Sequence, residues 1–247
     1  MILRQFLHTD PVAVSYLFGC GGHAACAVAD PVGDIEPYLR MADETGMRIR
    51  LVIDTHVHAD HRSAGRALAT AAGAEYVLHA AAEIAFPAYA VKDGDRLSLG
   101  NVVIDVMHTP GHTPEHVCLL VTDRTRADEP WFVLTGHTLM VGDVGRTELA
   151  TDAAAGARIL FSSLARLKAL PDHIEVLPGA FAGSVCGRRL SGNPSSTIGF
   201  ERRHNTAFLI AAENDFVEFM LQDIPPAPPE AAELRAWNAG LHAVAAK

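Results

Sequence analysis

The sequence predicts an α/β protein in which two β-sheets pack face to face with helices on the outside. Two features predict it. Short apolar runs bounded by turn residues give way to helical spacing once in each half of the chain. The histidine-rich turns each follow directly on one of those apolar runs, where loops at a sheet edge can face a common cavity. Several α/β arrangements share this pattern, so strand order stays open.

The 247 residues include 49% apolar and 20% charged, an ordinary globular balance able to bury a sizeable core. One domain over 1–247 is expected, because no linker divides the chain. A formal net charge of -9, without a Lys/Arg stripe, argues against nucleic acid or an anionic membrane surface as partner. No stretch approaches the roughly 18–20 apolar residues that span a bilayer, and residues 1–6 lack a leader pattern, so a cytoplasmic location is expected. Cys20, Cys26, Cys118 and Cys186 form no C-x-x-C pair; reduced thiols are expected, with Cys26 and Cys118 in the core.

Strands are expected at 24–29, before Asp30-Pro31, and at 49–54. Between them Ile35, Tyr38, Leu39 and Ala42 give a helix over 34–45, with Asp34 as N-cap and Gly46 as stop. A second helix over 63–72 ends at Gly73, followed by a strand at 75–79. Strands follow at 95–99, 102–106, 117–121 and 131–135, separated by Gly, Pro and Asp. A long helix over 152–170 carries Ile159, Leu160, Leu164, Leu167 and Leu170 on one stripe. Residues 175–177 read as the last strand, before a loop over 178–194; a Pro-rich hinge at 224–229 precedes a short amphipathic helix from Glu230. No internal repeat is evident.

The dominant chemical signal is Thr55-His56-Val57-His58-Ala59-Asp60-His61, on a strand-to-helix loop. Three imidazoles and a carboxylate at this spacing suit a borderline metal ion, and His56 and His58 share one face of an extended segment. A second turn, His108-Thr109-Pro110-Gly111-His112-Thr113-Pro114-Glu115-His116, offers His112, flanked by a Gly that permits close approach and a Thr that can support the ring. His108 and His116 read as supporting or surface residues. A third turn, Gly136-His137-Thr138-Leu139-Met140-Val141-Gly142-Asp143-Val144-Gly145-Arg146-Thr147, also follows a strand.

The order H-x-H-x-D-H, P-G-H-T, then G-x-T-L-x-x-G-D-x-G-R-T resembles the metallo-β-lactamase superfamily over nearly the whole chain, which implies an αββα sandwich with its metal at the loops of one edge. Within it the sequence resembles the persulfide dioxygenases, also called sulfur dioxygenases, and the related modules often fused to rhodanese domains. Arg4-Gln5-Phe6, residues 54–61, Gly183-Ser184-Val185-Cys186-Gly187 and Ser196-Thr197-Ile198-Gly199-Phe200-Glu201-Arg202-Arg203 carry that likeness. The resemblance implies one Fe(II) held by His56, His112 and the third-turn position occupied here by His137. Two departures stand out. His137 replaces the family's Asp, and Ala180 replaces a late metal-binding His, so the resemblance loses much of what holds a second ion.

The expected site is therefore His56, His112 and His137, with His58 as a further candidate ligand and Asp60 and His61 as hydrogen-bond partners or polar walls. Loss of the carboxylate leaves Zn, Ni or Cu as alternatives to Fe. Arg146, Cys186, Arg188 and Arg202 are candidates for substrate contact, with Arg203 beside them; salt bridges elsewhere, or a purely structural Cys186, are the alternatives. The expected activity is oxidation of a small thiol persulfide such as glutathione persulfide by O2. A mononuclear, glyoxalase II-like thioester hydrolase and a catalytically degenerate sulfur-species binding protein are the other two readings. A homodimer is compatible with the sequence.

Overall fold

The structure, a computed structural model, describes residues 1–222, 224 and 226–241; of the 224–229 hinge, Pro225 lies outside the described residues. One sheet runs in the order β1 (Ile2–Thr9), β2 (Val12–Cys20), β3 (Ala25–Ala29), β4 (Arg48–Ile53), β5 (Glu75–His79), β6 (Tyr89–Val91). Its first three strands are antiparallel and its last four parallel. The other runs β14 (Ser196–Thr197), β13 (Glu175–Pro178), β10 (Phe132–Gly136), β9 (Val117–Asp123), β8 (Val102–His108), β7 (Arg96–Leu99). A small ribbon pairs β11 (Leu139–Met140) with β12 (Asp143–Val144).

Alternation of side chains sorts each strand's residues between layers. Leu119 and Val121 of β9 point between the sheets, joining Phe18, Ile53, Val77, Ile104 and Phe132, whereas Cys118 and Leu120 face outward. Both faces of such strands are buried, so their sequence is continuously apolar. In β4 the alternation breaks. Cys26 pairs with Ile49 but Ala27 with Leu51, so Arg50 is an extra residue, and the bulge turns Ile49 outward while Leu51 faces the central core.

Helices cover both outer faces. α1 (Glu36–Glu44) and α2 (Gly65–Ala72) place Tyr38, Ala42, Leu68 and Ala69 on the first sheet. α3 (Ala153–Lys168), α4 (Ile198–His204), α5 (Thr206–Leu209) and α6 (Glu213–Leu221) cover the second. Asp152 caps α3 by accepting a hydrogen bond from the Ala155 backbone N–H, and Gly73, at φ 62, closes α2. Asp34 is not the N-cap of α1; Ile35 is, and Asp34, one residue before it, accepts the Glu36 N–H at Oδ1.

Other expectations are corrected. The α3 stripe is narrower than expected: Leu160, Leu164 and Leu167 are fully buried, but Ile159 is 43% exposed, since one residue turns the helix by about 100°. β13 is not the last strand, because β14 pairs with it, and β1, β2 and α4 to α6 were not anticipated. The final helix, α7 (Ala231–Asn238), starts where the sequence placed it. Cys26 and Cys118 are buried as expected.

Leu164→Ala should lower the unfolding free energy by about 2–5 kcal/mol in denaturant titrations. Ile159→Ala should change it by no more than about 0.5 kcal/mol. Equal losses would contradict this placement of α3.

Candidate metal centre

The carboxyl ends of β3, β4, β8, β10 and β13 supply Asp30, residues 54–61, the 109–116 turn, His137 and the 179–180 step, as open α/β sheets place their sites. Asp30 holds the first loop. Its Oδ1 accepts the Thr55 backbone N–H at 2.7 Å and its Oδ2 the Thr55 hydroxyl at 2.9 Å. With that proton committed, Thr55 Oγ1 accepts from His56 Nδ1–H at 2.9 Å, leaving His56 Nε2 as a bare lone pair. Asp30 Oδ1 also accepts from His58 Nε2 at 3.2 Å, which frees His58 Nδ1.

The other two turns are fixed from behind. His112 Nδ1 donates to the Arg146 carbonyl at 2.7 Å, so its Nε2 carries the lone pair. His137 donates its backbone N–H to His116 Nε2 at 3.0 Å, and His116 Nδ1 faces the Thr109 and Thr138 hydroxyls at 3.0 Å each. Both nitrogens of His116 are thus engaged, and it serves as scaffold for the third turn. Gly136 is required there: its φ is 47°, and a Cβ would stand 2.5 Å from His116 Nε2 and 2.7 Å from Thr55 Oγ1.

His56, His112 and His137 each offer a ring nitrogen, all within 4.8 Å of one another, and His56, His58 and Asp60 form an overlapping set. His56 Nε2, His58 Nδ1, both Asp60 oxygens and both His61 nitrogens are buried without a hydrogen bond. His61 Nδ1 is only 3.1 Å from Asp60 Oδ1, close enough to pair electrostatically but misaligned for a hydrogen bond. Each unsatisfied buried group costs about 1–3 kcal/mol, so this convergence of lone pairs fits a cation.

The electrostatics agree with that fit. Burial, then neighbouring imidazoles, holds His56 well below the usual histidine range; burial, then His137, lowers His112 to about 3. Burial also lowers His137. These rings are neutral, as ligation requires. Burial opposes charge on His58, but the hydrogen bond to Asp30 and the nearby Asp60 carboxylate overcome this and raise it well above the usual range. Burial likewise opposes charge on Asp60, yet His61 and His58 hold its carboxyl well below the usual range.

The remaining candidates fall in different places. Asp60 lies among the donors rather than behind them, and Cys186 Sγ lies within 4.8 Å of an Asp60 oxygen and a His137 nitrogen. Arg146 is 5% exposed; its guanidinium pairs with Glu148 and donates to the Val185 carbonyl. Arg188 donates to the Phe219 and Gln222 carbonyls and lies over the Phe219 ring, tying the 179–194 loop to α6. Arg202 pairs with Asp172 and donates to the carbonyls of Lys168 and Leu170 at the end of α3. Arg203 donates to the Gly199 carbonyl within α4. Among the described residues, the hydrogen bonds and ion pairs of Arg188 and Arg202 run to helix and loop ends rather than to the histidine cluster. His108 stacks on His79 with ring centroids 3.9 Å apart.

Sequence reasoning missed Asp30, Glu115, Arg235 and Asn238. Asn238 Nδ2 donates to the carbonyls of His58 and His61 at 2.9 and 2.7 Å, and its Oδ1 accepts from the Ser63 N–H. Arg235 donates to the Val57 carbonyl and to Glu115, which itself accepts the Val57 N–H. α7 thereby clamps the first metal loop from outside. Only Asp30, at a strand end before Pro31, left a local signal.

The family description Metallo-beta-lactamase superfamily matches residues 9–179. The chain belongs to the metallo-β-lactamase superfamily. A metallo-beta-lactamase of Staphylococcus aureus subsp. aureus COL superposes with a TM-score of 0.92 at 33% identity, covering 96% of this chain and 72% of that one. ETHE1 from Myxococcus xanthus superposes with a TM-score of 0.83 at 29% identity, covering 98% of this chain and 100% of that one. A hydroxyacylglutathione hydrolase of a Polaromonas species is 33% identical over 168 residues, 67% of this chain but only 60% of that hydrolase. Within this superfamily, the two sheets and outer helices are the metallo-β-lactamase fold, and among the described residues no helix is long and apolar enough to cross a membrane.

Asp30→Asn keeps the shape of the side chain but replaces one acceptor with a donor facing Thr55 or His58. Affinity for a divalent ion, read by chelator competition, should fall about 10–100-fold. Unchanged affinity would mean that Asp30 does not set the orientation of His56 and His58.

Proposed function

We propose that this chain is an iron-dependent oxygenase that oxidises a small thiol persulfide, such as glutathione persulfide, to the thiol and sulfite. The observation that carries the reading is a compact set of three neutral imidazoles, His56, His112 and His137, beside a single carboxylate and without a late histidine at Ala180. Two-metal hydrolysis uses ions roughly 3.5–4 Å apart that share the attacking oxygen, and the carboxylate that usually joins them is His137 here. The end-to-end superposition on ETHE1 and the persulfide-dioxygenase motifs support the same choice.

The balanced reaction takes RSSH, O2 and H2O to RSH and sulfurous acid: the terminal sulfur is oxidised, and both atoms of O2 are reduced into the product. Fe(II) at this position supplies the electronic contact between sulfur and O2 that the spin mismatch otherwise forbids. The chain's own residues hold geometry and exclude water. The Asp30–Thr55 pair and the Arg146 carbonyl fix the tautomers of His56 and His112, and His116 fixes the His137 turn. No side-chain nucleophile takes part.

Protein reconstituted anaerobically with Fe(II) should consume O2 on addition of glutathione persulfide, and His56→Ala should abolish this. No persulfide-dependent uptake would overturn the reading. His137→Asp should raise iron affinity and show uptake at least equal to the parent, because a carboxylate balances the ion's charge; metal content and uptake unchanged from the parent would place the third turn away from the metal. The similarity to a hydroxyacylglutathione hydrolase supports a second reading, thioester hydrolysis by a Zn form, which acyl-glutathione turnover would reveal. Tight binding of sulfur species without turnover under any metal would favour the binding-protein reading.

A further inference from the structure

The amino ends of β3, β4 and β5 border a cavity of about 750 Å³, at the edge of the sandwich away from the histidine turns. His23, Arg48, Arg50 and Glu75 line it from the first sheet, and Ser98 and Gly100 from the β7–β8 turn of the second. The six residues of β4, about 20 Å of extended chain, separate it from the first metal loop, so it is no extension of the metal centre.

The bulge in β4 shapes this cavity. Arg48 pairs with Ala25, which packs against the central core, so Arg48 stands on the side of the strand that faces between the sheets. In a regular strand Leu51 would then point the opposite way. The extra residue lets Leu51 turn into the core and still leaves Arg50 beside Arg48 at the cavity. Bulges re-aim side chains in this manner next to functional sites. Across the gap Gly100, at φ 70°, lets the His23 ring lie against the main chain, where a Cβ would stand 2.4 Å from the ring.

Among the described residues, neither the Arg48 nor the Arg50 guanidinium is hydrogen-bonded or ion-paired, although Glu75 lines the same cavity. Two guanidinium groups against one carboxylate leave this edge positive in a chain whose formal charge is -9. Guanidinium forks match the oxygens of phosphate two at a time, and a dianionic head can engage both forks at once. The volume falls within the roughly 300–1,000 Å³ of small-molecule sites, and Ala25, Leu51 and Leu99 supply an apolar floor.

We propose that this cavity binds a small phosphate monoester, its dianionic head bridging Arg48 and Arg50 and its organic part lying on Ala25, Leu51 and Leu99. Binding is reversible and transfers no atom. The inference is independent of the persulfide reading, because it concerns the opposite edge of the sandwich.

The test follows the backbone amide signals of the Zn(II)-loaded protein by NMR during titration with inorganic phosphate, phenyl phosphate and benzoate. Saturable shifts should appear at residues 23–25, 48–51 and 98–100, with phenyl phosphate binding more tightly than inorganic phosphate and benzoate more weakly than phenyl phosphate. Arg48→Gln and Arg50→Gln should each weaken phenyl phosphate about 10–100-fold, the loss of a charge-assisted contact, while zinc content and the circular dichroism spectrum stay unchanged. Ser98→Asp, which adds a carboxylate to the mouth, should abolish binding with both arginines in place. The proposal is overturned by the absence of saturable shifts at these residues, by shifts confined to the His56 and His112 turns, or by an affinity that survives both arginine substitutions. Benzoate binding as tightly as phenyl phosphate overturns the assignment to phosphate. Failure of oxygen uptake would sink the persulfide reading and leave this one standing.

Discussion

The carboxylate of Asp30 is the fixed point of the site. It sits at the end of β3 at φ 47°, a left-handed conformation that Asp tolerates better than most residues. From there it accepts the Thr55 N–H, the Thr55 hydroxyl and the His58 ring. One buried side chain therefore fixes both the path of the first loop and the tautomer of His56. Parallel pairing of β3 with β4 brings Asp30 beside Thr55, so the sheet and the chemistry share one constraint.

Around that point the protein has gathered more electron pairs than hydrogens. Imidazole rings lie 4.2–4.9 Å apart between centroids from His56 to His58, His112 and His137, and the Asp60 carboxylate is sealed among them. Such an interior is unfavourable unless a cation completes it, so binding energy and folding energy are the same quantity here. Where the superfamily has a carboxylate, His137 alters the charge of that interior, while its backbone N–H stays anchored on His116 Nε2.

The sequence exposed the parts of this design that are local. The histidine turns, the apolar runs of β4, β5 and β8 to β10, and the caps Asp152 and Gly73 are all encoded within a few residues. The β1–β2 hairpin was hidden because β2, buried along almost its whole length, shows no alternation to mark it. α4 and α5, of 7 and 4 residues, are too short for their periodicity to stand out, although Thr197 and Asn205 do cap them. Ile159 was misplaced because an apolar residue beside a stripe looks like part of it. The sequence leaves Arg188 and Arg202 open between substrate contact and salt bridges; in the fold they donate to carbonyl groups at helix and loop ends, a demand that no local pattern reveals. Asn238 lies some 180 positions from the loop it holds, and only the folded chain brings the two together.

That last contact makes the site a two-ended device. α7 grips the carbonyls of His58 and His61 and, through Arg235, the strand of backbone at Val57. An ion that draws the loop into one geometry strengthens the seat of the helix, and a seated helix narrows the loop's freedom before any ion arrives. Linkage makes the two effects equal in free energy. The occupancy of the histidines is thus written onto a surface helix far along the chain, where hydrogen exchange of its amides reads the metal content without a probe entering the site.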